Sequence, residues 1–270
     1  MYQPYAFQGT PTTTTTSTTT STTTTTSTTT TTAGAIVTAN LTFHYDFGNT
    51  SCYPGSGTTC TDLISNQTAT MASGPGTLSR GGNTYNSGFG GYVAWDNAAF
   101  GTNRNWGGDL ISANNGAYTL ECWFRRSAYS FYNFSNFMFC GTSGNPNFCT
   151  YTNTGSDNDI LVSSISGGDS IYYYPVASYF PLNVWHQVVL TAPASGASTL
   201  YADGSSTGKT GTRRNYYSTS KMFRIGNPGG TAGDKIGWTG DTAIWRVYNA
   251  ALSASEIAQN WNAQKARFGR

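Results

Sequence analysis

Short segments in which apolar and polar residues alternate, separated by glycine-rich turns, make up most of the chain after residue 34. These segments are rich in β-branched and aromatic residues, a composition typical of β-strands. Asp203-Gly204 is a signal for a type I′ hairpin turn. The pattern predicts an all-β fold, a two-sheet antiparallel sandwich of the jelly-roll type. The predicted strands are Ala35–Phe47, Tyr118–Arg126, Asn183–Thr191, Ser198–Tyr201, Thr207–Thr210, Met222–Ile225 and Thr242–Tyr248.

One helix is predicted near the end of the chain. Ser253 and Glu256 have the spacing of a capping box, in which the serine caps the helix and the glutamate reaches back to it. The positions that follow at helical spacing are Ile257, Trp261, Gln264 and Phe268. A helix from about Ala254 to Arg267 would pack one face on the sandwich.

Residues 12–32 consist of 18 threonines and three serines. Such a run has almost no apolar surface, so burial cannot offset the entropy lost on ordering it. Threonine favours extended backbone, and we expect an extended arm over residues 12–34, held by neighbouring copies of the chain, by O-glycans or by a groove on another protein. A disordered linker is the alternative. The candidates for O-glycosylation are Thr12, Thr16, Ser17, Thr20, Ser21, Thr26, Ser27 and Thr32.

The segment before this arm, residues 1–11, carries three aromatic residues and no charged side chain. Tyr2, Tyr5 and Phe7 suggest an anchor that docks into a hydrophobic groove on a neighbouring subunit. A frayed terminus is the alternative. The sandwich domain is then expected over residues 35–270.

Charged residues make up only 10% of the chain, and the formal net charge is +2. Without a basic patch, nucleic acid is not an expected partner. Aromatic residues reach 14%, which suits contacts with sugars or with other subunits. No apolar stretch is long enough to span a membrane, and the beginning of the sequence does not read as a secretory signal.

The five cysteines allow two local disulfides. The predicted pairs are Cys52–Cys60 and Cys140–Cys149, with Cys122 left as a buried thiol on a strand. Five reduced cysteines are the alternative. No CxxC motif occurs and neither histidine lies near a cysteine pair, so no zinc site is predicted.

Several motifs follow one another along the chain. They are Phe43–Gly48 with Ser51–Gly55, Tyr118–Phe124, Trp185–Val189 with Leu200–Gly204, and Ile244–Asn249 with Ala251–Ile257. In content and order they resemble laminin-G-like, concanavalin A-like domains of viral, phage and bacterial surface proteins. The resemblance covers roughly residues 36–268 and implies a concanavalin A-like sandwich. That fold hosts lectins, glycosidases, adhesion modules and particle proteins, so it does not by itself indicate a function.

No catalytic residue is predicted, because glycoside hydrolysis ordinarily needs a pair of carboxyl groups across the scissile bond. The chain has two glutamates: Glu256 belongs to the capping box, and Glu121 stands alone on its strand, without the Glu-x-Asp-x-x-Glu signature of glucanases with this fold. Asp157 and Asp159 are assigned to a loop, where turn formation is their default role.

A sugar-binding site is the alternative to a purely structural role. Its candidate residues are Trp95, Trp106 and Asp109. Some relatives bind calcium at the rim of the sandwich, but the candidates here (Asp109, Asp157, Asp159) are weak, and no cofactor is expected. N-glycosylation sequons occur at Asn40, Asn49, Asn66 and Asn133.

The main functional prediction is a non-catalytic subunit of an extracellular or virion-surface filament, assembled through the N-terminal arm. An arm bound on the next subunit makes a contact that does not close and therefore yields a fibre. The alternative is a carbohydrate-binding adhesion module on a glycosylated stalk.

Overall fold

The computed structural model describes residues 34–270, with gaps at 56, 58, 71–92, 97–98, 106–109, 111–115, 127–134, 141–145, 154–155, 165–169, 174–179, 213–221 and 227–238. The chain divides into two units, Met1–Thr32 and Ala33–Arg270. The predicted anchor residues Tyr2, Tyr5 and Phe7, and all the candidate O-glycosylation sites, lie outside the described residues.

Fifteen strands and one α-helix lie within the described ranges. The strands are β1 (Leu41–Asp46), β2 (Thr59–Thr61), β3 (Thr68–Thr70), β4 (Val93–Asp96), β5 (Ala99–Asn105), β6 (Tyr118–Arg126), β7 (Ser135–Cys140), β8 (Pro146–Asn153), β9 (Ser156–Ser164), β10 (Ser170–Tyr173), β11 (Trp185–Ala192), β12 (Ala197–Ala202), β13 (Ser205–Thr212), β14 (Met222–Gly226) and β15 (Thr239–Tyr248). For β4, β5, β7–β10 and β14 the backbone and its pairing are described.

Two large antiparallel sheets form the fold, which confirms the predicted concanavalin A-like sandwich. The first sheet has the order β1-β15-β6-β11-β12-β13, and β4 also pairs with β15. The second has the order β10-β9-β8-β7-β14-β5. A small third sheet pairs β2 with β3.

The two central strands of the first sheet, β6 and β11, are buried on both faces. All eight residues of β11 are buried. On β6, Leu120, Cys122 and Phe124 are buried on one face, as expected for the interior of a two-sheet sandwich. Glu121 and Trp123 lie on the other face, and they are buried because the C-terminal helix covers that face.

The C-terminal helix α1 spans Ala254–Gln264 and continues as a 3₁₀ turn over Lys265–Phe268. The predicted capping box is confirmed: the Ser253 side chain accepts from the Glu256 backbone N–H, and the Glu256 carboxylate accepts from the Ser253 N–H at 2.7 Å. The α-helix ends earlier than the predicted Arg267, since its last turn tightens to 3₁₀ geometry, as is common at helix ends.

The predicted hairpin is also confirmed. Asp203 and Gly204 both have positive φ, 48° and 77°, as a type I′ turn between β12 and β13 requires. A Cβ atom at Gly204 would lie only 2.7 Å from the Trp261 side chain, so the helix and the turn are in close contact.

Two predictions about local structure are wrong. The first strand begins at Leu41 rather than Ala35, since Asn40 adopts a left-handed φ of 60° in a turn. Asp157 and Asp159 do not lie in a loop but on β9. The polar start of β9 has low strand propensity, but pairing with β8 holds it extended, and β10 pairs with the following residues of β9.

Candidate functional site

Glu121, the only glutamate without an assigned role in the sequence, lies in a buried hydrogen-bond network between the first sheet and α1. Its Oε1 atom accepts from Arg246 Nη1 at 2.8 Å, from Gln187 Nε2 at 2.9 Å and from Trp123 Nε1 at 3.3 Å. Its Oε2 atom accepts from Asn260 Nδ2 at 2.8 Å. The side chains of Arg246 and Glu121 are 0% and 1% exposed, so this ion pair is almost fully removed from water.

Asn260 connects this network to the segment that precedes β1. Its Nδ2 atom also donates to the Tyr248 hydroxyl at 2.9 Å, and its Oδ1 atom accepts from the Val37 backbone N–H at 2.8 Å. The Tyr248 hydroxyl donates in turn to the Val37 carbonyl at 3.2 Å. Both backbone groups of Val37 are therefore satisfied by buried side chains of β15 and α1, as buried backbone requires.

The same face of the sheet carries an aromatic cluster under the end of α1. Trp123 stacks on Trp261 with ring centroids 5.0 Å apart and on Phe268 at 4.5 Å. Trp185 packs against Phe268 at 4.9 Å. These rings are engaged in the packing of the helix on the sheet rather than in a groove open to a ligand.

His44 extends the charged network at its outer side. Its Nε2 atom lies 3.2 Å from Arg246 Nε, which donates to it. Burial, together with the positive charges of Arg246 and Arg267, lowers the pKa of His44 to about 3. The imidazole is therefore neutral at physiological pH and acts as an acceptor for the arginine.

The aspartates at the ends of the first sheet hold arginines of neighbouring segments. Asp46 accepts from Arg267 at 2.7 and 2.8 Å, and although burial alone would raise the pKa of Asp46, the bonds from Arg267 bring it below its usual value. Asp241 accepts from Arg125 at 2.7 Å, but burial outweighs the arginine and raises the pKa of Asp241. The Asp46–Arg267 pair ties the C-terminal 3₁₀ turn to the sheet, and the Asp241–Arg125 pair links the neighbouring strands β15 and β6.

Asp203 and Asp62 organise two turns. The Asp203 carboxylate accepts from the Gln187 backbone N–H at 3.0 Å and lies 2.9 Å from His186 Nδ1. Asp62 accepts from the His44 and Ile64 backbone N–H groups at 2.9 and 3.1 Å. Each carboxylate whose side chain is described thus has a structural partner: Asp46, Asp62, Glu121, Asp203, Asp241 and Glu256.

The predicted sugar-binding and calcium residues are not brought together in the described part of the chain. Trp95 lies on β4, where only its backbone is described, and it pairs with Gly240. Trp106 and Asp109 lie outside the described residues. Within the described ranges no group of three or more His, Cys, Asp or Glu side chains is arranged to hold a metal ion.

Three of the four sequons lie in exposed turns. Asn40 and Asn66 adopt left-handed φ angles of 60° and 59°, a conformation that asparagine tolerates well, and the Asn49 side chain accepts from the Ser51 N–H at 2.9 Å. Each asparagine thus also has a role in its turn. Asn133 lies outside the described residues.

The predicted Cys52–Cys60 disulfide is not formed in the structure, where both cysteines are free and buried. The Cys52 sulfur instead accepts from the Asp46 backbone N–H at 3.3 Å, and burial raises the pKa of Cys52 to about 12. Cys122 is a free, buried thiol on β6, as predicted.

The predicted Cys140–Cys149 disulfide does not fit the strand register. Cys140 is the last residue of β7, and Cys149 lies inside β8. Phe139 pairs with Asn147, so Cys140 and Cys149 are offset by about three residues, or roughly 10 Å along the strands. A disulfide requires Cα atoms within about 7 Å.

The pairing register of the second sheet separates two kinds of residue onto its two faces. One continuous row crosses all six strands and is entirely apolar: Phe100, Ile225, Met138, Phe148, Val162 and Ile171. The next row, on the opposite face, is mainly polar: Gly101, Arg224, Phe139, Asn147, Ser163 and Ser170. The apolar row is typical of a face packed inside a sandwich, which leaves the second row, here called the Arg224 row, on the outer face. Arg224 was not predicted from the sequence as a site residue, although its position as a polar residue between Phe223 and Ile225 was a signal for it.

No helix in the described part of the chain has the length and apolar character needed to cross a membrane.

Solved structures with the same fold are remote in sequence. A sialidase from Trypanosoma rangeli has a TM-score of 0.57 and 15% identity, over 87% of this chain and 35% of the sialidase chain. The binding domain of Paraclostridial Mosquitocidal Protein 1 has a TM-score of 0.57 and 13% identity, over 83% of this chain and 52% of that chain. The chain therefore spans about a third of the sialidase and about half of the mosquitocidal protein chain. No curated protein matches the sequence.

A family model described as the concanavalin A-like lectin/glucanases superfamily matches residues 86–258, which is more than half of the chain. The matched range includes both central strands of the first sheet and all six strands of the second sheet. The resemblance recognised in the sequence motifs is thereby confirmed. The chain belongs to the concanavalin A-like lectin/glucanases superfamily.

Proposed function

We propose that this protein is a non-catalytic carbohydrate-binding module that acts outside the cell. The superfamily contains both lectins and glucanases, so the fold alone leaves two functions open. The observation that supports binding over hydrolysis is the role of the two glutamates. Glu121 is buried in an ion pair, and Glu256 caps a helix.

Catalysis of glycoside hydrolysis ordinarily needs one carboxyl group to protonate the leaving oxygen and a second to attack or to activate water. Glu121 can do neither, because its two oxygens already accept four hydrogen bonds and helix α1 covers it. The other described carboxylates hold arginines or turn N–H groups. This use of the carboxylates supports binding without turnover.

The composition supports a sugar ligand. Aromatic residues make up 14% of the chain and charged residues 10%, a composition that suits contacts with sugars. The likeness to the Trypanosoma rangeli sialidase concerns about a third of that chain and supports the fold only.

A filament subunit assembled through the N-terminal arm remains a prediction. The arm lies outside the described residues. Carbohydrate binding therefore takes precedence as the proposal.

The proposal is tested by applying the full-length protein to an array of neutral and acidic glycans and incubating it with the glycans that it retains. Binding without release of shortened sugars supports the proposal. Hydrolysis of any bound glycan contradicts the non-catalytic role, and failure to retain any glycan contradicts carbohydrate binding.

A further inference from the structure

The Arg224 row places a cation on β14, the strand next to the edge strand β5 of the second sheet. Arg224 lies on β14, with Phe139 of β7 paired on one side and Gly101 of β5 on the other. The row continues through Asn147 and Ser163 to the far edge of the sheet. Six adjacent strands therefore place arginine, aromatic, amide and hydroxyl residues in one line roughly 24 Å long, counting about 4.8 Å between strands.

The row contains no carboxylate that could neutralise the arginine. Its members other than Arg224 are glycine, phenylalanine, asparagine and serine. Along β14 itself, the residues two positions away are Met222 and Gly226. Asp159, on β9, lies three strands from β14, about 14 Å away across the sheet.

The residue types in the row match the chemistry of an acidic sugar. A guanidinium group binds a carboxylate or a sulfate through two parallel hydrogen bonds, which a neutral hydroxyl cannot accept in the same way. An aromatic ring beside it can cover the apolar face of a sugar ring. Asparagine and serine can exchange hydrogen bonds with sugar hydroxyls.

We propose that the Arg224 row is the glycan-binding site and that it selects acidic glycans, in which Arg224 binds a carboxylate or sulfate group. This inference rests on the proposed carbohydrate-binding function and adds the site and the ligand class. Neutral glycans would bind more weakly, because they offer the arginine no anionic group.

The test compares wild type with R224Q, R224K and K209Q on matched neutral, carboxylated and sulfated glycans. Lys209 is exposed on β13 of the first sheet, so K209Q removes the same charge away from the proposed site. R224Q is expected to weaken binding of acidic glycans about tenfold or more, since hydrogen bonds between charged groups are the strong ones. R224K should lose less of the affinity for acidic glycans, and K209Q should bind them like wild type. The separate carboxylated and sulfated probes identify which anion is preferred.

The outcomes separate this inference from the function on which it rests. Equal wild-type binding of neutral and acidic glycans, or acidic binding that R224Q leaves unchanged, overturns the assignment of Arg224 and leaves carbohydrate binding intact. Retention of no glycan by wild type overturns both. Urea denaturation of R224Q checks its folding. If R224Q is unstable, the affinity of wild type for acidic glycans is measured between roughly 50 and 500 mM NaCl. An arginine–anion contact weakens as salt is added, so an affinity that does not change with salt contradicts the role of Arg224.

Discussion

Replacing Glu121 by glutamine tests whether this glutamate is structural. The substitution preserves size but replaces one acceptor oxygen with an NH₂ group. Oε1 accepts from three donors, and Oε2 accepts from Asn260 Nδ2, so every orientation of the new amide places its NH₂ group against a donor. Asn260 cannot flip to compensate, because its Oδ1 atom is bound to the Val37 N–H.

The size of the effect follows from burial. Arg246 and Glu121 are 0% and 1% exposed, so E121Q leaves a guanidinium charge in the interior without its counter-charge. Removal of one partner of a buried ion pair costs about 3–5 kcal/mol, a large part of the roughly 5–15 kcal/mol that stabilises a typical domain. The hydrogen bond from Arg246 Nε to His44 offsets little of this cost, since a neutral imidazole carries no opposite charge.

Urea denaturation followed by tryptophan fluorescence measures the change. With a slope of about 2–3 kcal/mol per molar urea, the midpoint of E121Q should fall by about 1–2 M. E256Q is the matched control: the same chemical change in the capping box at the start of α1 should cost about 1 kcal/mol or less. A stability of E121Q within about 1 kcal/mol of wild type would refute the structural role, and a catalytic role would then need to be considered, because active-site residues are often not optimal for stability.

Three further predictions concern the same face of the protein. N260A should destabilise the protein by about 2–4 kcal/mol and should increase hydrogen exchange at the Val37 amide, which loses its buried acceptor; unchanged exchange at that amide would contradict the assigned contact. Because the native pKa of His44 is about 3 and an unfolded histidine titrates near 6.5, only the unfolded state takes up a proton as the pH falls through this window, so stability should drop by up to about 2 kcal/mol between pH 7 and 5. The H44Q variant should lack this drop in stability, and an equal pH dependence in wild type and H44Q would contradict the prediction. G204A should destabilise the protein by about 1–3 kcal/mol in a thermal melt, because alanine is strained at a φ of 77° and its methyl group would clash with Trp261; a melting temperature equal to that of wild type would disprove the close contact.

Local sequence signals predicted local structure well. The capping box, the Asp203-Gly204 turn and strand Tyr118–Arg126 are each determined by residues a few positions apart, and all three are found in the structure. Strand β9 was missed because its first residues are polar and its extended conformation depends on pairing with β8 and β10.

The partners of Glu121 could not be predicted from the sequence. Gln187, Arg246 and Asn260 are 66, 125 and 139 residues away along the chain, and only the sheet order brings them together. The Cys140–Cys149 prediction fails for a related reason. A short sequence separation suggests proximity, but the register places Cys140 at the end of β7 and Cys149 about three residues beyond the position opposite it on β8.

The Arg224 row likewise depends on register. Its members come from six strands that span more than 100 residues of sequence, from Gly101 to Arg224. Periodicity within β14 identifies Arg224 as a polar position between two apolar ones. The sequence of that strand alone does not reveal that the neighbouring positions contain no carboxylate.

The central claim is that this chain binds glycans and does not cleave them. Its most direct test is to measure, in one sample of the full-length protein, the binding of a retained glycan by calorimetry and the mass of that glycan after prolonged incubation. The account predicts saturable binding and an unchanged glycan mass. Fragments of lower mass would contradict the account, and so would the absence of measurable binding to every glycan tried.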